Sequence, residues 1–213
     1  MSLRLSGGRR LQSPPGSTAR PTPSRVRLAV MNMLGADLPG ASWLDLCCGS
    51  GVMGCEALQH GARRVVAVDQ DRRMAATARA NLELVAGSRT PAAEVKVVQQ
   101  EVERWLSRGA AAAGEDGFDL IYADPPYAAG LYAGLAAAVA RGGWLRPHGR
   151  LLLECGSNAL PEPPQGWSLQ RQRRYGSSTV LVLSQLAETA ADRTGRDPDP
   201  AGAIGTAEDE PAG

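Results

Sequence analysis

Short apolar runs alternate with longer stretches in which apolar positions recur every three or four residues, and this alternation fills the middle of the chain. The runs read as buried strands at Ser42–Cys47, Arg64–Asp69, Glu94–Gln99, Phe118–Asp124 and Arg150–Cys155. The stretches between them read as helices at Val52–His60, Arg72–Val85, Val102–Ser107 and Leu131–Arg141. Two later segments, Ser168–Arg174 and Thr179–Ser184, predict an antiparallel pair. Ahead of all of these, Pro23 and Ser24 open a helical pattern with Val26, Val30 and Met33 or Leu34 on one face, and Gly35 stops it. Strands alternating with helices imply right-handed βαβ crossovers. The expected fold class is therefore α/β: a Rossmann-like, doubly wound, mostly parallel sheet of seven strands, the last antiparallel, with a short N-terminal extension.

Composition divides the chain without changing that picture. The 213 residues suffice for one α/β domain with short extensions. Residues 1–34 read as a basic arm and helix, residues 35–184 as the main domain, and residues 185–213 as an acidic tail with little to bury, expected to be disordered. The net charge of +1 hides this asymmetry: Arg4, Arg9, Arg10, Arg20, Arg25 and Arg27 precede the first acid, Asp37. A basic arm suggests a polyanionic partner, against the plainer reading of a solvated leader. No apolar run approaches the ~20 residues of a membrane span, and no secretory leader is legible, so a cytoplasmic location is expected. Cys47, Cys48, Cys55 and Cys155 form no C-x-x-C pair, and His60 and His148 lack partners at metal-ligand spacing. Reduced buried thiols and no metal are expected. A monomer is expected as well.

Two segments carry chemistry. Asp45-Leu46-Cys47-Cys48-Gly49-Ser50-Gly51 ends the first strand and opens a helix, and Gly54 completes G-x-G-x-x-G. Gly49 and Gly51 permit a backbone approach that a Cβ would block. Asp69 ends the second strand, where a carboxylate can accept both hydroxyls of a ribose. These features alone would also serve a dinucleotide. Asp45 tips the reading toward S-adenosylmethionine, because a carboxylate there suits the ammonium of a methionyl group, whereas a pyrophosphate prefers bare N–H groups. Ser50 and Gln70 flank these residues in the candidate cofactor site. The second segment, Asp124-Pro125-Pro126-Tyr127, closes the fourth strand. The prolines fix their own φ and push each preceding residue extended. One carboxylate, carbonyls without competing N–H donors and one ring face are thereby held together. Such a shelf suits a flat heterocycle bearing an NH2 group, stacked on Tyr127, with Asp124 and a proline carbonyl accepting from the amine. A proline-rich turn after a core strand is the plain structural alternative.

These motifs together resemble the class I methyltransferases that modify exocyclic amines. Arg20-Pro21-Thr22-Pro23-Ser24-Arg25-Val26-Arg27, with Gly7-Gly8-Arg9 before it and Arg174-Tyr175-Gly176-Ser177-Ser178 near the end, resembles more narrowly the signatures of the RsmD family, over about residues 3–184. That family methylates a guanine N2 amine in 16S ribosomal RNA. The resemblance implies S-adenosylmethionine as cofactor and, as partner, 16S ribosomal RNA or a small-subunit assembly intermediate. It implies catalysis at Asp124, Pro125, Pro126 and Tyr127, cofactor contacts at Asp45, Gly49, Ser50, Gly51, Asp69, Gln70, Glu101 and Val102, and RNA contacts at Arg9, Arg10, Arg20, Arg25 and Arg27. Glu101 stands where Asp or Asn commonly meets the adenine amine, and Leu28 stands where the family usually has Glu. The readings that compete are an amino-methyltransferase of DNA adenine or protein glutamine, an NAD-dependent oxidoreductase, and a non-catalytic RNA-binding protein.

Overall fold

The apolar runs assemble into one sheet of seven strands in a computed structural model that describes residues 3–13, 22–125, 131–158 and 160–186. The strands are β1 (Ser42–Leu46), β2 (Arg64–Asp69), β3 (Glu94–Gln99), β4 (Phe118–Ala123), β5 (Leu145–Gly156), β6 (Trp167–Tyr175) and β7 (Ser178–Gln185). Their order is β3-β2-β1-β4-β5-β7-β6. Pairing is parallel from β3 through β5, and β7 runs antiparallel to both β5 and β6. The expected α/β class and antiparallel last strand are both present. The sequence order reverses between β1 and β4, and a crevice opens beyond the C-terminal ends of strands at such a switch.

Alternate side chains along each strand feed two cores. On one face Trp43, Val65, Leu120, Tyr122, Leu152 and Val180 meet α1 (Ser24–Met33), α2 (Val52–Gln59) and α3 (Arg72–Ala86). On the other face Leu44, Val66, Ile121, Leu151 and Leu181 meet α4 (Val102–Leu106) and α5 (Leu131–Arg141). There the Trp105 and Trp144 rings pack 4.2 Å apart between centroids, and the Trp144 Nε1–H donates to the Leu106 carbonyl. Trp144 is a core residue, not a surface ring.

The basic arm is built into the first core. Leu3, Leu5 and Leu11 are buried in it. The segment turns back on itself, with Leu5 N–H donating to Arg9 O and Leu11 N–H to Leu3 O. Ser6 donates through both N–H and hydroxyl to the buried Glu56 of α2. Asn81 of α3 accepts from Gln12 N–H and donates to the carbonyls of Gln12 and Ser50, tying the arm to the glycine loop.

Most strand and helix ends fall within one residue of expectation, and one boundary differs by more. β5 begins at Leu145 rather than Arg150, because a bulge shifts its register on β4 between Phe118 and Leu120. Pro147 and Gly149 imitate a turn in the sequence. Gly149 is required there by close approach, since a Cβ on it would lie 3.0 Å from the Phe118 carbonyl oxygen. The acidic tail from residue 187 and the residues Arg20, Pro126 and Tyr127 lie outside the described residues. Among the described residues, no helix is long and apolar enough to cross a membrane.

Candidate active site

A cavity of about 590 Å³ opens where β1 and β4 end, large enough for a cofactor and a target group. Six acids line it, Asp45, Asp69, Glu101, Glu103, Asp124 and Glu154, and no Lys, Arg or His stands among its described lining residues. The chain has therefore built an electronegative site.

The loop after β1 supplies its floor. Gly49 and Gly51 take φ of 52° and 73°, a left-handed turn that lets the chain double back into α2. Gly54 serves close packing: a Cβ there would come within 2.8 Å of Val65. Asp45 is buried and accepts from Gly54 N–H at 3.0 Å. Burial pushes its carboxyl well up, opposed by that N–H and reinforced by the charges of Asp124 and Asp69. A cation arriving beside Asp45 would reverse that cost. Asp69 is placed by two backbone donors, Gly49 N–H at 2.8 Å and Asp71 N–H at 2.9 Å, one to each oxygen. Each oxygen keeps a lone pair for a further donor. Burial raises its pKa, offset by the same two donors. Gln70 lies exposed at the rim, and Ser50 and Val102 are buried in the wall.

Glu101 lines the cavity and caps α4, accepting from Glu103 N–H at 2.9 Å and Arg104 N–H at 2.7 Å. Its Oε1 and Oε2 are fixed by those bonds, with lone pairs left for an amine. Cys47 reaches the cavity too, and burial near Asp69 and Asp124 pushes its thiol up to about 12. It stays a neutral wall at physiological pH; Cys155, in the core outside the cavity, stays neutral as well, pushed up to about 11 by burial.

The opposite wall is built by β4 and β5. Pro125 is buried and Asp124 half-buried at the end of β4. Burial first, and then the neighbouring charge of Glu154, push the Asp124 carboxyl up to about 7, while a hydrogen bond from the Thr22 hydroxyl pulls the other way. Glu154, 1% exposed, accepts a short hydrogen bond from the Tyr122 hydroxyl. The sequence reading missed both Thr22 and Glu154. Glu154 had a signal, a lone acid inside the apolar run Leu151-Leu152-Leu153-Glu154-Cys155.

The arginines divide. Arg27 is 4% exposed, with Nε 3.1 Å from Glu56 and its two remaining nitrogens donating to the carbonyls of Thr22 and Arg4. Its placement corrects the expectation of a phosphate contact: Arg27 brackets the arm and holds Thr22 over Asp124. Arg25 is exposed, and its guanidinium lies so close over Gly176 that a Cβ there would meet it at 2.5 Å. That turn joins β6 to β7 beside Ser177 and Ser178, which line the cavity. Arg173 and Arg174 are exposed near the end of β6, and Arg174 Nε donates to the Gly176 carbonyl at 3.1 Å. Arg9 is exposed but donates to Ser88, beyond the C-terminal end of α3. The cavity lies at the other end of that helix, about 22 Å away by helical rise. Arg10 is exposed and Arg20 lies outside the described residues. Among the described residues, no group of three or more His, Cys, Asp or Glu is placed to hold a metal ion.

A family model described as Conserved hypothetical protein 95 matches residues 5–184. YlbH of Bacillus subtilis, whose name describes an rRNA methyltransferase, is 31% identical over 84% of this chain and 94% of its own. Ribosomal RNA small subunit methyltransferase D of Escherichia coli is 27% identical over 87% of this chain and 89% of its own. The solved structure of yhhF from Escherichia coli superposes with a TM-score of 0.73 at 28% identity, covering 88% of this chain and all of that one.

Proposed function

The chain belongs to the Conserved hypothetical protein 95 family, the RsmD family of ribosomal RNA methyltransferases, and from that premise we propose that it methylates the exocyclic N2 amine of a guanine in 16S ribosomal RNA, using S-adenosylmethionine. It is a methyltransferase by family and fold. The observation that carries the choice of cofactor is the cavity's charge: six acids and no base among its described lining residues. A dinucleotide would bring a pyrophosphate into that field. S-adenosylmethionine brings a sulfonium and an ammonium, and when bound it supplies an electrophilic methyl group.

The chain's own residues bind, orient and deprotonate. Asp45 and the Gly49–Gly51 loop hold the methionyl end, Asp69 and Gln70 the ribose, and Glu101 and Val102 the adenine. Asp124 and the Pro125 carbonyl accept the two hydrogens of the target amine, and Tyr127 stacks on its ring. The lone pair of such an amine is delocalised into the ring, so alignment is the main contribution, worth up to ~7–11 kcal/mol in favourable cases. Ionised Asp124 takes the proton that the methylated nitrogen sheds. The guanine must leave its stack to reach the cavity. Arg25, with Arg173 and Arg174, would hold RNA phosphates at the rim, which positions the target without reading sequence. The RNA is naked or already part of an assembling small subunit, the location is cytoplasmic, and the enzyme acts as a monomer.

The test has two arms. Calorimetry should show binding of S-adenosylmethionine and none of NAD. Mass mapping of 16S ribosomal RNA from cells lacking the protein should reveal one guanine that has lost an N2 methyl group, restored by the purified enzyme. Label transferred instead to DNA or to protein would overturn the substrate assignment.

A further inference from the structure

Glu154 is a buried acid that the mechanism above leaves unused. It interrupts the apolar run of β5 and lines the cavity. The parallel register Ala123↔Leu153, carried one residue further, sets Asp124 beside Glu154 on adjacent strands, about 4.8 Å apart. Tyr122, two residues before Asp124 and so on the same face, donates its hydroxyl to Glu154. The tyrosine fixes one oxygen of Glu154 and holds the group as an acceptor. Two carboxylates side by side at 1% and partial exposure are costly to a fold that gains nothing from them. The mutual charge of Glu154 and Asp124, seen in the raised carboxyl of the latter, is the same cost from the other side.

With both carboxyls ionised the pair only accepts, and such a pair selects among bases by their hydrogen-bonding edges. Guanine presents two neighbouring donors there, the N1–H and the N2 amine. Adenine and cytosine present an amine beside a ring nitrogen lone pair, which a second carboxylate would repel. We propose that Glu154 discriminates for guanine, its carboxylate accepting the N1–H while Asp124 accepts from the N2 amine. This rests on the guanine-N2 reading given above and adds the residue that enforces it. A site whose buried polar group loses its partner rejects the analogue that lacks it.

The test compares guanine with 2-aminopurine, which keeps the 2-amine but carries a lone pair at N1. Small-subunit RNA, assembled with its ribosomal proteins, would carry one or the other at the position mapped for the wild-type enzyme. Wild type should prefer guanine in kcat/KM. In Glu154→Gln, whose amide can donate to a bare N1, that preference should fall at least about tenfold, a change of one hydrogen bond's size. Affinity for S-adenosylmethionine should be nearly unchanged, and the thermal midpoint should hold or rise, because a buried charge beside Asp124 is removed. Glu154→Asp, which keeps the charge and withdraws it by one methylene, should also narrow the preference and covers the case in which the glutamine variant does not fold. Wild type that methylates 2-aminopurine as readily as guanine overturns the proposal without any variant. So does an unchanged preference in a folded variant, which would leave Glu154 only a partner for Tyr122. A wild-type enzyme that methylates no guanine sinks this proposal and the parent reading together, whereas the other two results sink this one alone.

Discussion

In the proposed mechanism Asp124 acts as a base where its charge is disfavoured. Its pKa near 7 comes from burial and from Glu154, against an ordinary value of 3.8. Turnover should therefore rise with pH through about 7. Thr22 stabilises the ionised form, so Thr22→Val should move that rise to higher pH, lowering the rate several-fold at pH 6.5 while leaving it nearly unchanged at pH 9; an unmoved pH profile would remove Thr22 from the site. Asp124→Asn should reduce methyl transfer by about 10²–10⁴-fold, the usual contribution of a positioned base, with cofactor affinity retained. The same variant should be more stable at pH 8. Between pH 4 and 7 the folded protein holds a proton on Asp124 that the unfolded chain has released, so this group's contribution falls as pH rises through that window. Removing the carboxylate should restore about 1–3 kcal/mol at pH 8 and nothing at pH 4, read from urea melts at the two pH values. Asp124 was legible because its motif is contiguous. Its regulators, Thr22 and Glu154, were not, since each acts across a separation of many residues that only the β4–β5 register and the folded-back arm close.

Among the elements, the N-terminal arm departs furthest from its reading as an RNA-binding extension. Its leucines are core, and Arg27 is a bracket. Breaking a buried pair leaves an uncompensated charge, so Arg27→Ala should cost about 3–5 kcal/mol, while replacing Arg27 and Glu56 together by apolar residues of similar volume should cost less than the sum of the single losses, the remainder coming from Ser6 and the Thr22 and Arg4 carbonyls that lose their partners. Chemical denaturation of the two single variants and the double variant checks this, and additive losses would refute the bracket. The helix pattern already hinted at burial: Arg27 lies three and four positions before Val30 and Met31, on the stripe that faces inward. What the pattern lacked was the partner, Glu56, on another helix. The strands were legible because buried parallel strands are nearly continuous apolar runs. The start of β5 was not, because Pro147 and Gly149 signal a turn and only the pairing with β4 turns that signal into a bulge.

At the scale of the whole molecule, the near-zero net charge is spatially sorted. Acids converge in the cavity, where the proposed cationic cofactor would sit. Exposed arginines meet at the Gly176 turn from two distant stretches of chain, Arg25 of α1 and Arg174 of β6, with Arg173 the residue before Arg174. On the proposed reading, an RNA strand delivering a base into the cavity crosses the rim at that turn. Each phosphate neutralised there releases counterions, contributing about 0.7–0.9 to the slope of log affinity against log salt. Arg25→Ala, Arg173→Ala and Arg174→Ala together should lower that slope by about two to three, with kcat on saturating RNA little changed because none of the three lines the cavity. Arg9→Ala, at the far end of α3, should leave the slope as it is. Filter binding across a salt series separates the two sites. A slope that follows Arg9 and ignores the rim would mean that the RNA approaches along the arm, and the entry path drawn here would be wrong.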